Sequence, residues 1–95
     1  MAKGYWIGHI TVTDTHAYEQ YKSANAEAFN KYGGRFLVRA GQFECLCGKA
    51  RERHVLIEFD SYKQALKCYR SPEYQAASKL RDSYSENDII IIEGV

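Results

Sequence analysis

Runs of β-branched and aromatic residues alternate along this chain with stretches whose apolar positions recur every three or four residues. The first run, GYWIGHITV at 4–12, predicts a strand. Asp14 follows where a helix cap is needed, and an apolar stripe at helical spacing runs from Ala17 and Tyr18 through Tyr21, Ala28 and Phe29 to Tyr32. Gly33-Gly34 ends that helix, because glycine accepts the left-handed turn beyond a C-cap. RFLVRA at 35–40 predicts a second strand, which QFECLCG at 42–48 either continues past an irregularity at Gly41 or follows as a separate strand. HVLIEF at 54–59 predicts another. Ser61 and Gln64 form a capping box ahead of a helix over YKQALKCYR. Ser71-Pro72-Glu73 restarts a helix with a cap, an N1 proline and an acid at the positive dipole end. DIIIIEG at 88–94 closes the chain as a final strand.

The resulting order is β-α-β-β-α-β. ITVTDTHAYEQY and LIEFDSYKQALKCY look like two copies of one strand–cap–helix unit. The expected fold is therefore α+β and ferredoxin-like: four antiparallel strands backed on one face by two main helices, one domain over residues 1–95.

Parity divides each strand between two faces. One set is almost wholly apolar and is expected beneath the helices: Trp6, Ile10 and Val12, then Phe36 and Val38, then Val55, Ile57 and Phe59, then Ile90 and Ile92. The other set mixes aliphatic and ionisable groups: Tyr5, Ile7 and His9, then Leu37 and Arg39, then Leu56 and Glu58, then Ile89, Ile91 and Glu93. No further element remains to cover this second face. Ile7, Leu37, Leu56, Ile89 and Ile91 would leave an apolar patch exposed on a monomer, so a homodimer packed sheet against sheet is expected.

Composition narrows the partners. The 95 residues carry 13 basic and 12 acidic side chains, net charge +1, which argues against nucleic acid. No apolar run approaches the ~18 residues of a membrane span, and MAKGYWIGHITV lacks a signal-peptide core. A cytoplasmic location is expected, with Cys45, Cys47 and Cys68 as reduced thiols; their odd number fits no disulfide framework.

The motifs YGGRFLVRAG, IEF, YRSPEY and IIIIEG, in this order and spacing, resemble the bacterial domain-of-unknown-function family number thirteen-thirty over nearly the whole chain. That resemblance implies a dimeric α/β barrel, in which two ferredoxin-like sheets face each other around a cavity. Proteins on that superfold include cofactor-free monooxygenases and small isomerases, and the family has no settled activity. The chain departs from the family pattern at Ala40, where a glycine is usual, at Cys47, where an acid is common, and at Cys68, where tryptophan is common.

KYGGRFLVRAG at 31–41 has the look of a ligand motif. A phosphate loop needs its glycines between a strand and the helix that follows, whereas Gly33-Gly34 lie between a helix and a strand. An RNA-reading sheet needs aromatics on its open face, and Phe36 belongs by parity to the helix side. The glycines are thus a C-cap turn.

Arg39 sits by parity on the face expected to be covered, where an unpaired charge is costly. Glu58 on the adjacent strand is its expected partner, and His9 shares the face as a group able to accept or donate a proton. The expected site joins Arg39 holding an anionic or carbonyl group, Glu58 orienting Arg39, and His9 transferring a proton or hydrogen-bonding. The structural alternative is a salt bridge and a histidine that fix the dimer register. Tyr18, Tyr21, Tyr32, Tyr69 and Tyr74 are expected mostly in the core with hydroxyls at its rim, one or two of them donating into a cavity. Cys45 and Cys47 share a strand face with His54 within reach, but no four-ligand zinc pattern is visible, so buried thiols are expected and no metal. No nucleotide or cofactor fingerprint is present either, and no cofactor is expected. The function expected is binding, or transformation without a cofactor, of a small organic molecule in the barrel cavity. The alternative is a non-catalytic ligand-binding or protein-interaction module.

Overall fold

A computed structural model describes residues 2–95. It comprises β1 (Gly4–Val12), α1 (Thr15–Tyr32), β2 (Arg35–Arg39), β3 (Arg53–Phe59), α2 (Tyr62–Tyr69), α3 (Pro72–Tyr84) and β4 (Ser85–Glu93). The strands pair antiparallel in the order β2-β3-β1-β4, the α+β ferredoxin-like arrangement expected.

Local chemistry sets the helix boundaries. The Asp14 carboxylate accepts from the Ala17 amide at 3.0 Å and opens α1. Gly33, at φ 77°, closes it in the left-handed region. Ser61 accepts from the Gln64 amide at 3.1 Å. The capping box is only half formed, because the Gln64 side chain donates instead to the Tyr32 carbonyl at 3.1 Å. That contact ties the start of α2 to the end of α1. Ser71 caps α3 through the Tyr74 amide, with Pro72 in the first turn.

The core lies between the helices and one sheet face, centred on Trp6. Its ring meets Tyr74 at 4.6 Å, Phe29 at 5.0 Å and Tyr69 at 5.3 Å between centroids. Burying a side chain of this size contributes about 4–6 kcal/mol at ~25 cal/mol per Å2. The Cys68 thiol is fully buried, and that burial pushes its pKa up to about 12, so it stays a protonated packing group.

Several expectations are corrected. Residues 42–48 form no strand; they belong to the loop between β2 and β3, where Cys45 and Cys47 are exposed rather than buried. β4 starts at Ser85, ahead of residue 88, and its register pairs Trp6 with Ile91 and Gly8 with Ile89. Ile89 and Ile91 therefore lie beneath the helices. Ile90 and Ile92, at 54% and 48% exposure, lie on the open face, the reverse of the parity expected. A run of four isoleucines reads as apolar on either parity, so only the pairing can assign it.

β2 carries a bulge. Phe36 pairs with Ile57, then Val38 with Leu56 and Arg39 with Val55, so Leu37 is the extra residue. The slip sends Val38 to the open face and Arg39 to the helix side.

Candidate functional site

Three rows of cross-strand partners make a floor beneath the helices: Arg53–Ile10–Asn87, Val55–Gly8–Ile89 and Ile57–Trp6–Ile91. The middle row has no side chain at its centre. A Cβ on Gly8 would stand 2.9 Å from Val55 Cγ2, so glycine both lets Val55 pack and leaves a gap above the sheet. Tyr18, Tyr21, Asn25 and Phe29 of α1 roof that gap, leaving a partly open void of about 140 Å3. A void of ~150 Å3 holds a benzene ring.

The lining is aromatic and cationic. Lys22, Arg39 and Arg53 contribute to it, and no carboxylate does among the described residues. Arg39 is exposed and stacks on Phe36, its guanidinium 3.8 Å from the ring centroid. Arg53 is half-buried, 5.9 Å from the Tyr18 centroid. Two buried polar atoms of the lining residues, Arg53 Nε and Asn87 Oδ1, have no hydrogen-bond partner among the described residues. Such orphans are uncommon in folded proteins and call for an explanation.

Burial, with a smaller push from Tyr21, raises the Tyr18 pKa to about 12 against the opposing charge of Arg53, so Tyr18 stays a neutral hydroxyl. Tyr21 and Tyr74 share a hydrogen bond of 2.6 Å between hydroxyls, and Arg81 donates to Tyr74 at 3.1 Å. This buried chain starts at the lining and leads away from it beneath α3.

The three residues expected to form a site are not brought together. Arg39 lines the helix-side cavity, because the bulge at Leu37 turns it over. Glu58 stays on the open face, where its partner is Arg35 (3.2 Å) with the Tyr5 hydroxyl (3.2 Å) instead of Arg39. His9 also stays on the open face, its Nδ1 2.8 Å from Nδ1 of His54, its cross-strand neighbour. That contact needs one ring nitrogen protonated and the other bare. His9 and Glu58 sit four residues apart in register, about 13 Å along the strands.

Gly8, Arg53 and Asn87 were not singled out from the sequence. A glycine amid an apolar strand was a usable signal for close approach or a gap. Arg53 shares parity with Val55, Ile57 and Phe59, one residue before the expected strand start, and Asn87 lies one residue before the expected start of the last strand. Among the described residues, no group of three or more His, Cys, Asp or Glu side chains is arranged to hold a metal ion. No helix there is long and apolar enough to cross a membrane.

Fold and cavity together define a ferredoxin-like domain with a ring-sized void between sheet and helix. The chain belongs to the family described as a domain of unknown function (DUF1330), whose sequence profile matches residues 3–95. Among solved structures it is similar to the RPA0582 protein of unknown function from Rhodopseudomonas palustris. Identity is 19% with a TM-score of 0.80, covering 99% of this chain and 83% of that one. It is similar also to a dimeric ferredoxin-like protein of unknown function from Thermobifida fusca (14%, TM-score 0.63, 97% and 91% covered). SnoaB, a cofactor-independent oxygenase from Streptomyces nogalater, shares the fold at 10% identity and TM-score 0.65, with 97% and 92% covered. A search of curated proteins finds no match.

Proposed function

We propose that this protein binds a small organic anion in the cavity between α1 and the sheet. The observation that carries the reading is the lining: an aromatic, ring-sized void bearing Arg39 and Arg53, which have no carboxylate partner among the described residues, beside Lys22, which Glu19 already pairs at 3.3 Å. An aromatic pocket with two arginines that lack a carboxylate partner favours a ligand that brings the missing negative charge. Arg39 keeps the role of anion or carbonyl holder, with Arg53 rather than Glu58 beside it.

The reading includes a homodimer through the open sheet face. Leu37, Val38, Ile90 and Ile92 are exposed there, and the Thermobifida fusca relative is described as dimeric.

The test is titration of the protein with benzoate, with benzyl alcohol as the neutral control. Benzoate is expected to bind and the alcohol to bind more weakly. Arg53→Ala should weaken benzoate by about ten- to a hundredfold, the loss of one charge-assisted hydrogen bond. Arg39→Ala should weaken it less, since Arg39 is the more exposed. No benzoate binding at millimolar concentration, or equal binding by both arginine variants and wild type, overturns the reading.

Turnover of the bound molecule without a cofactor is a second reading. It is favoured by the buried Tyr21–Tyr74–Arg81 chain, which carries two hydroxyls from the lining into the interior. Unchanged ligand recovered after long incubation with the protein removes it.

A further inference from the structure

Resting on the reading that this cavity binds a small organic anion, we infer that its ligand is a single-ring hydroxy acid, with its carboxylate at Arg53 and its hydroxyl donating to Asn87. The two orphaned atoms are sealed from water, so a ligand meets them only as the Arg53 and Asn87 side chains turn toward the cavity, and they demand different chemistry. Arg53 Nε is a donor and needs an acceptor. Asn87 Oδ1 is an acceptor and needs a donor.

The orientation of the Asn87 amide follows from its neighbours. The Ser85 hydroxyl donates its single hydrogen to the Arg81 carbonyl. Ser85 can therefore offer Asn87 only lone pairs, and the Asn87 amide nitrogen donates to them at 2.9 Å. Turning the amide over would set two acceptors against each other, so Oδ1 is fixed as the unsatisfied end. A simple carboxylate satisfies Arg53 and leaves Asn87 buried and unpaired. A hydroxyl on the same molecule satisfies both.

The floor gives the spacing. Arg53 and Asn87 both pair with Ile10, from the strands on either side of β1. Their backbones are two strand spacings apart, about 10 Å. The acid and the hydroxyl thus belong on opposite sides of the ligand, separated by roughly one ring, which the void of about 140 Å3 accommodates. Arg39 pairs with Val55 on the same flank as Arg53, so both guanidiniums serve the acid end. On the Asn87 flank of these rows the partner is Ile89, which carries no charge.

The experiment compares meta- and para-hydroxybenzoate with benzoate and the matching methoxybenzoates, by calorimetric titration of wild type and Asn87→Ala. The better hydroxybenzoate should bind wild type about tenfold tighter than benzoate, as one satisfied hydrogen bond in a buried site predicts. The methoxy compounds, which accept but cannot donate, should show no such gain. Asn87→Ala should erase the preference, so that the hydroxybenzoates bind the variant no tighter than benzoate does, with circular dichroism reporting that the variant is folded. Benzoate bound as tightly as both hydroxybenzoates, or a preference that survives Asn87→Ala, overturns this inference and leaves the anion cavity standing. Failure of every carboxylate to bind wild type overturns both.

Discussion

The two faces of this sheet are built from the same alternating strands and offer opposite things. Beneath the helices, large aromatics surround a glycine, and the result is a gap with two unsatisfied polar atoms on its flanks. On the open face, Ile7, Val38, Leu56, Ile90 and Ile92 share an apolar middle, and the ionisable groups gather at its two ends. Arg35 holds Glu58 at one end. At the other, Arg51 donates to Asp88 at 2.8 Å and to Thr11 at 3.1 Å, and His9 pairs with His54. His54 Nε2 apart, the polar ends are internally paired. An apolar middle with a paired polar rim is the anatomy of a protein interface, and a void with unpaired donors and acceptors is that of a small-molecule site. The difference teaches that the charge worth following is the one left without a partner.

The largest expected effect breaks the open face. Ile90→Asp puts a carboxylate in the middle of the proposed interface, and two-fold symmetry doubles the insult. A buried unpaired charge costs several kcal/mol per ion, enough to dissociate a dimer of ordinary affinity. Sedimentation should show the mass of a dimer for wild type and of a monomer for the variant, with benzoate affinity retained. Wild type sedimenting as a monomer at micromolar concentration would remove the interface half of the comparison.

A middling effect separates the faces by stability. Tyr21→Phe removes the hydroxyl that partners Tyr74 inside the core. Tyr74 keeps Arg81 as a donor but has no acceptor left for its own hydrogen, a loss of about 1–3 kcal/mol. His9→Ala on the open face frees a ring nitrogen near solvent and should cost less, about 0.5–1 kcal/mol. Urea unfolding of the two variants tests the order. If His9→Ala proves the more costly, the histidine pair is holding the structure together and the open face is more than an interface.

Legibility in the sequence followed the same divide. Strand and helix order came from local periodicity and caps, because Asp14, Gly33, Ser61 and Ser71 each act on their own neighbours. The family resemblance agreed with it. What failed depended on pairing. Leu37 is one extra residue in a five-residue edge strand, and no local property of RFLVR marks it, yet it decides which face Arg39 occupies. The isoleucines of β4 are equally apolar on both parities, so their assignment waits on the register with β1. Arg39 was singled out as a charge that needed a partner on the open face, and the bulge places it on the other side of the sheet. Gly8 was the readable clue that went unused.

The smallest effect tests the turn that follows Arg39. Ala40 has φ 54°, in the left-handed region, and its amide donates to the His54 carbonyl at 2.9 Å. Where the family resemblance calls for glycine, alanine holds a conformation that costs it roughly 1–2 kcal/mol. Ala40→Gly relieves that cost but adds ~0.4–1 kcal/mol of freedom to the unfolded chain. The net should be a stabilisation of about 0.5–1 kcal/mol, read as a higher urea midpoint at unchanged slope. The substitution leaves the bulge and the Arg39–Val55 pairing in place, so benzoate should bind the variant as it binds wild type. A destabilised Ala40→Gly would mean that the turn does not hold its left-handed backbone in solution. Arg39 would then lose the anchor that keeps it facing the cavity, and benzoate affinity should change with it.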